Sequence, residues 1–459
     1  MPSRCRWPRL TRREFLSGMA AGALLGPRWP GLRFSEAAQY PFEEILAGRS
    51  GIRWVHSNGK SPEKYLPETT GAGCAFFDYD NDGRVDLFVC RFVDFSKELN
   101  KPCGVHEDGQ KHYCIPQIYS PMGSWLFRNN GDGTFTDVSK ECGIANHLGK
   151  AWGVVATGIN NDGLMDLFVT NDTVANFLFV NRGKGKFEEI GTAAGVAYSG
   201  EGRPRSGMGI DSADFNEDGW MDLFVANLDR EMFAIYQNNH DETFDDMALP
   251  TGIGKATKLM SGWGLKFFDY DNDGNLDLFL ANGNPDDLIN SLHGEVTYEE
   301  PLMLLRRTGK GFQDVSAASG PVFARRLCSR GLAIGDFDND GAVDVLISVN
   351  NAAPLLLRNT AAAGNHWLGV QLVGKKCNPD AVGARLTYQA GDLKRGRMKA
   401  GGGSYLSSHD PRVVLGLEKR EKLDWLEVKW PLPSGRVERF TNLPVDRYIT
   451  IVEGEGKWK

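Results

Sequence analysis

The sequence holds no glycine-rich phosphate loop, no serine nucleophile elbow and no zinc-binding helix motif. That removes nucleotide hydrolases, serine esterases and zinc peptidases from consideration. It has no basic stripe interleaved with aromatics, which excludes nucleic acid as a partner. No apolar run is long enough to hold the mature chain in a bilayer. Cysteine is scarce at eight residues. Cys5 falls within an N-terminal export signal, so an odd number remains and a fully paired disulfide framework is excluded.

What is present in quantity is glycine and aspartate. The chain of 459 residues has 55 glycines and is 41% hydrophobic, a composition that suits a turn-rich β protein and argues against disorder. The acid is concentrated in one phrase. "DYDNDGRVDLFV" places Asp78, Asp80, Asp82 and Asp86 on a short turn with Gly83 at its sharpest point. Carboxylates at positions 1, 3 and 5, a glycine at 6 and a carbonyl at 7 (Arg84) form the first half of a calcium loop. Position 12 is Val89 instead of glutamate, and Leu87-Phe88-Val89 reads as a strand. The loop therefore joins two strands instead of two helices.

The phrase recurs, with copies starting at residues 158, 214, 269 and 336. The candidate ligands are Asn160, Asp162, Leu164 and Asp166 in the second; Asp214, Asn216, Asp218, Trp220 and Asp222 in the third; Asp269, Asp271, Asp273, Asn275 and Asp277 in the fourth; and Asp336, Asp338, Asp340, Ala342 and Asp344 in the fifth. Gly158 stands where the second loop lacks its first carboxylate, so that site is expected to bind most weakly. Up to five calcium ions are expected. Each loop is followed by an apolar strand, a strand ending in Arg or Asn, a strand bearing Phe and usually an acid, and a glycine-rich strand leading into the next loop. Four short strands per unit is the grammar of a β-propeller blade. The fifth unit lacks its Phe-acid strand, and "PFEEIL" from Pro41 supplies one at the other end of the array. The expectation is an all-β propeller of five recognisable units, with the N-terminal strand closing the ring and removing two sheet edges.

Three segments follow. Residues 1–38 carry Arg12-Arg13 before Phe15-Leu16 and a short Ala/Gly/Leu run, which reads as a twin-arginine export signal. Residues 39–362 form the propeller. Residues 363–459 lack the aspartate phrase and alternate with period two, Leu368, Val370 and Leu372 sharing one face and Leu426, Val428 and Trp430 another. A periplasmic or secreted protein is expected, in a compartment where millimolar-range calcium fills weak sites. Cys103 and Cys114, in a polar insert of the first unit, are a candidate disulfide there. Cys74, Cys90, Cys142, Cys328 and Cys377 are expected to be buried free thiols.

The repeats resemble FG-GAP/VCBS propeller repeats. The ending "NHWLGVQLVGKKCNPDAVGARLTY…GGGSYLSSHDPRVVLGL" resembles the ASPIC/UnbV domain. Together they are similar to the cartilage acidic protein family in its bacterial secreted form. The resemblance implies calcium-binding propellers, often extracellular, linked with matrix contacts in animals and natural-product clusters in bacteria, without a settled activity. A phrase that commonly ends in histidine in that family reads Asn282-Gly283-Asn284 here.

Two function classes follow. One is a calcium-binding scaffold or binding protein for a protein, glycan or small-molecule ligand. The alternative is a metal-dependent oxidative tailoring enzyme using copper or iron, with His56, Glu68, His106 and His112 as candidate catalytic or transition-metal residues on the first-repeat loops. That alternative expects His56 and an insert histidine to converge on one mouth of the propeller.

Overall fold

The computed structural model describes residues 41–44, 46, 64, 73–101, 103–104, 109, 111, 113–309 and 311–459. Each aspartate phrase sits at the turn between the first two strands of an antiparallel propeller sheet; four of these five sheets have four strands, and the second gains a fifth, Gly401–Gly402, from the C-terminal residues. From the axis outward, blade 1 is built of Cys74–Phe77, Asp86–Val89, Trp125–Asn129 and Phe135–Asp137. The innermost strands of blades 2 to 5 are Ala151–Thr157, Ile210–Ala213, Gly262–Phe268 and Ser329–Gly335. Blade 5 takes its outermost strand from the N-terminal side, Phe42 pairing with Asn359 and Glu44 with Leu357. Phe42 is buried against the rings of Tyr270, Phe279 and Phe323.

The residue that ends each third strand has a task that the repeat pattern alone did not disclose. Asn181 of blade 2 donates to the Tyr79 carbonyl of blade 1 at 2.9 Å, and Asn238 of blade 3 to the Ile159 carbonyl of blade 2 at 2.8 Å. In blade 4 the role passes to Arg307, whose Nε donates to Phe215 O at 3.0 Å, and in blade 5 Asn359 reaches Tyr270 O at 2.6 Å. A buried carbonyl left unpaired costs about 1–3 kcal/mol, so these four junctions are latched at the same place. The outer-strand phenylalanine packs beside it, Phe187 on Tyr79 and Phe312 on Phe215. The junction of blades 5 and 1 is built differently. Asn129 donates to Val85 O within its own blade, as Asn181, Asn238 and Asn359 also do in theirs, but makes no cross-blade bond among the described residues, and Phe135, Phe337 and Leu346 are exposed where their counterparts are covered.

The C-terminal residues form two sheets around their own core. In one, His366–Val373 lies between Val413–Glu418 and a parallel Arg447–Val452; the other orders Leu393–Met398, Arg385–Ala390, Trp425–Lys429 and Val437–Phe440. The alternating residues named above are all buried. Yet this block is not simply appended. Its glycine-rich stretch runs along the propeller axis and meets all five inner strands. Gly401 and Gly402 pair with Ala156 and Val155, and Ser404 N donates to Ile210 O. The Ser404 hydroxyl accepts from Leu265 N and donates to Leu332 O. A Cβ on Gly401 would stand 2.3 Å from Phe76 O, so only glycine fits between blades 1 and 2. Tyr405 then closes the axis against Trp152 and Trp263, ring centres 6.4 and 5.0 Å away.

Candidate functional site

The five aspartate loops share one backbone design. The residue at position 4 and the glycine at position 6 both take positive φ, as at Asn81 (60°) and Gly83 (87°). In the four loops that begin with aspartate, this curls the loop so that the first carboxylate accepts from the amides of positions 5 and 6. Asp78 takes Asp82 N and Gly83 N, and Asp336 takes Asp340 N and Gly341 N. The ninth residue is buried and accepts from position 2 and from the latch residue of its own blade, as Asp344 does from Phe337 N and Asn359 N. Desolvation in these loops pushes carboxyl pKa values up, to about 7 for Asp86 and about 8 for Asp222 and Asp344.

Position 3 separates the loops into two kinds. In loops 1, 4 and 5 carboxylate oxygens converge: Asp78, Asp80 and Asp86; Asp269, Asp271 and Asp273; Asp336, Asp338 and Asp344 lie within 4.8 Å of one another in each set. Asp80, Asp271 and Asp338 each keep one buried oxygen with no hydrogen-bond partner. A cation is what such an orphaned, converging set fits. In loops 2 and 3 position 3 is asparagine, and the loop satisfies itself. Asn160 donates to Asp162 and Glu242, while Asn216 and His240 both contact Asp218.

An arginine accompanies each converging set. Arg306 lies 2.8 Å from Asp271 and Arg358 lies 2.7 Å from Asp338. At Asp80, burial and the Asp82 charge raise the carboxyl pKa, and Arg128 partly offsets them. The same third-strand position in blades 2 and 3 holds Val180 and Gln237. The sequence shows these arginines, but only the strand register aims them at the loops.

All five loops face the C-terminal sheets. Arg385 donates to Gly158 O of loop 2, and Arg397 joins Glu217 of loop 3 to Gly274 O of loop 4. Glu418 N donates to Asn272 O, Arg412 to Asp336 O, and the Tyr448 hydroxyl to Asp336 at 2.5 Å. A Cβ on Gly83 of loop 1 would come within 2.9 Å of Lys376 O. The loops are therefore the floor on which the C-terminal block rests.

His56, Glu68, His106 and His112 lie outside the described residues. Two of their neighbours are described. Lys64 pairs with Asp287 at 2.7 Å, and its ammonium lies 4.8 Å from the Tyr113 ring centre. Cys103 and Cys114 are bonded, their Cα atoms 5.2 Å apart. Of the cysteines expected to be buried, Cys74 is exposed, because it opens the innermost strand of blade 1 beside a cavity; the other four are buried. Asn284, at the position where histidine is common, donates to Asp229 and Ser261.

At the end of the propeller opposite the loops, Glu231 accepts from Ser206 N and Glu300 from Ser261 N, each at 2.7 Å. Burial pushes these carboxyls up to about 7 and about 8. A carboxyl whose folded pKa exceeds its unfolded value stabilises the fold fully below the unfolded value, and this is lost as pH rises through the folded one. With calcium held in excess, the protein is therefore expected to be less stable at pH ~8.5 than at pH ~5.5, by roughly 2–5 kcal/mol. Glu300→Gln should flatten that slope in thermal melts, and a pH-independent midpoint in the parent would contradict the assignment.

Comparison with known proteins agrees with this layout. The FG-GAP-like repeat model matches residues 113–169, 158–225 and 214–280, and the ASPIC and UnbV model matches residues 374–457. Cartilage acidic protein 1 of Xenopus tropicalis is 26% identical over 467 residues, covering 85% of this chain and 68% of that protein. The Homo sapiens protein of the same name is 28% identical over 304 residues, 64% of this chain, and the chain spans only 43% of its length. A solved Agrocybe aegerita lectin specific for non-reducing terminal N-acetylglucosamine aligns at 13% identity over 61% of this chain and 75% of its own, with a TM-score of 0.30. That score is too low to carry an argument. No helix among the described residues is long and apolar enough to cross a membrane.

Proposed function

From a chain that belongs to the FG-GAP repeat proteins with a C-terminal ASPIC/UnbV domain, we propose an exported binding or scaffold protein whose propeller and C-terminal block are clamped together through calcium loops. The observation that carries it is the coincidence of two features in loops 1, 4 and 5. Each gathers three carboxylates with an orphaned buried oxygen, and each lies under the C-terminal sheets. Oxygen ligands without histidine or thiolate suit a hard divalent cation. The residues that would hold it are Asp78, Asp80, Asp82 and Asp86; Asp269, Asp271, Asp273 and Asp277; and Asp336, Asp338, Asp340 and Asp344, with carbonyls of Arg84, Asn275 and Ala342. When bound, the ion would supply positive charge beyond that of the arginines beside each loop.

The five loops of the repeat thus reduce to three strong sites. Metal analysis of the purified protein after dialysis at low free calcium is expected to find about three calcium ions per chain. A value near zero, or stoichiometric copper or iron in its place, would refute this reading. No observation among the described residues favours the oxidative alternative.

Export through the twin-arginine route is part of the proposal and rests on Arg12-Arg13. Replacing both with lysine is expected to leave precursor in the cytoplasm, as followed by fractionation. Unchanged export of that double variant would point to another route.

A further inference from the structure

Between the propeller axis and the C-terminal sheets lies a cavity of about 690 Å³. The inner strands of blades 1, 3, 4 and 5 line it from one side and the stretch from Lys399 to Arg412 from the other. Most of its wall is apolar, including Phe76, Phe267, Ile334, Val382 and Met398. This volume is typical of small-molecule sites, which pair an apolar wall with a few directed polar groups.

Of the carboxylates on the wall, Asp214, Asp269 and Asp336 accept from their own loop amides and Asp380 is exposed; the nitrogen-bearing side chains there are mostly engaged. Lys266 pairs with Asp211 at 2.7 Å, Arg397 with Glu217, Arg412 with Asp410, and Arg385 donates to the Gly158 carbonyl. Two are not. The Lys399 ammonium is buried without a hydrogen-bond partner, and so is Nε2 of His409. The backbone fixes what His409 presents. Ile334 N donates to Nδ1 at 3.2 Å, so the neutral ring carries its proton on Nε2. Burial and the Lys266 charge hold the imidazole neutral, its pKa pulled down to about 3. Lys399 is likewise pulled down by burial, and the carboxylates that act on it in the other direction, Asp380 and Asp410, do not bond to it.

Two donors without acceptors, in one mainly apolar cavity, define the missing partner. We propose that this cavity binds a small organic monocarboxylate with an aliphatic body, its carboxylate set against Lys399 and His409 and its chain against Phe76 and Met398. An uncharged alcohol of the same length would satisfy neither donor fully. A dicarboxylate or sugar phosphate would bring a second charge onto the apolar wall. This goes beyond the calcium reading, since neither donor belongs to an aspartate loop.

The test is calorimetric titration of the calcium-loaded mature protein with octanoate, using 1-octanol as the uncharged control. One saturable site is expected, with octanoate bound at least about tenfold more tightly than octanol. Lys399→Met should weaken octanoate about tenfold and leave octanol unaffected, whereas Lys399→Arg, which keeps the charge, should retain most of the affinity. Alkylation of the exposed Cys74 thiol, on the same wall, should slow when octanoate is present. Equal affinity for acid and alcohol, indifference to Lys399→Met, or no saturable heat would each overturn the inference and leave the cavity a solvent-filled void only. Calcium content is measured on the same sample. Failure to bind octanoate at full calcium load therefore counts against this site and not against the loops.

Discussion

Chelation of calcium is expected to lower the thermal midpoint of this protein by ~10 °C or more, the largest change any single reagent should cause. The size follows from linkage. A ligand held only by the folded state adds RT ln(1 + [L]/Kd), about 2.7 kcal/mol per site when it is a hundredfold above Kd. Three such sites give roughly 8 kcal/mol, a large share of the stability of an ordinary domain. Without the ion the converging carboxylates repel one another in surroundings that already disfavour their charge. Two point variants localise the effect. Asp271→Asn removes an orphaned oxygen from loop 4 and should cost about one site's share. Asp162→Asn, in the loop that Asn160 and Glu242 already satisfy, should change the calcium-dependent part little. An unchanged midpoint in chelator at low salt, or equal losses from the two variants, would refute the division of loops.

Much of this layout was legible in the sequence, for a physical reason. A calcium loop needs particular residues at fixed offsets, so Asp78, Asp80 and Gly83 declare their backbone by spacing alone. The same holds for "PFEEI", whose only sensible place was the strand that blade 5 lacked. Other features were present in the sequence but mute. Asn181, Asn238 and Asn359 recur visibly, yet their partners lie in the preceding blade, which local pattern cannot show. The difference between loops 1, 4 and 5 and the other two rests partly on position 3 and partly on Arg128, Arg306 and Arg358, which act across a strand pair. The run Gly401-Gly402-Gly403 stood in the sequence only as part of the C-terminal block. Its meaning, close passage between Phe76, Val154 and Ile210, exists only in three dimensions. Period-two alternation located His366–Val373 and Trp425–Lys429 because the two faces of each differ in burial. It had nothing to say about a segment that leaves the sheets.

That segment carries the second large expected effect. Tyr405 is almost wholly buried among Trp152, Trp263 and Met208, where it plugs the axis with a side chain supplied by the C-terminal block. Truncating a ring of this size in a packed core costs about 3–5 kcal/mol. Because the ring touches blades 2 and 4 at once, Tyr405→Ala should destabilise propeller and C-terminal block together, as one transition at a lower midpoint. Removing everything after residue 362 is the harsher version. It would uncover the two tryptophans, strip Ala156 and Val155 of their pairing with Gly401 and Gly402, and leave the Leu332 and Ile210 carbonyls without donors. The isolated propeller is therefore expected to aggregate or to expose enough apolar surface to bind a hydrophobic dye, even with calcium present. Static light scattering and dye fluorescence on residues 39–362 decide the matter. A soluble monomer that melts within a few degrees of the full chain would show that the axis closes without Tyr405, and the account of one interlocked body would fail.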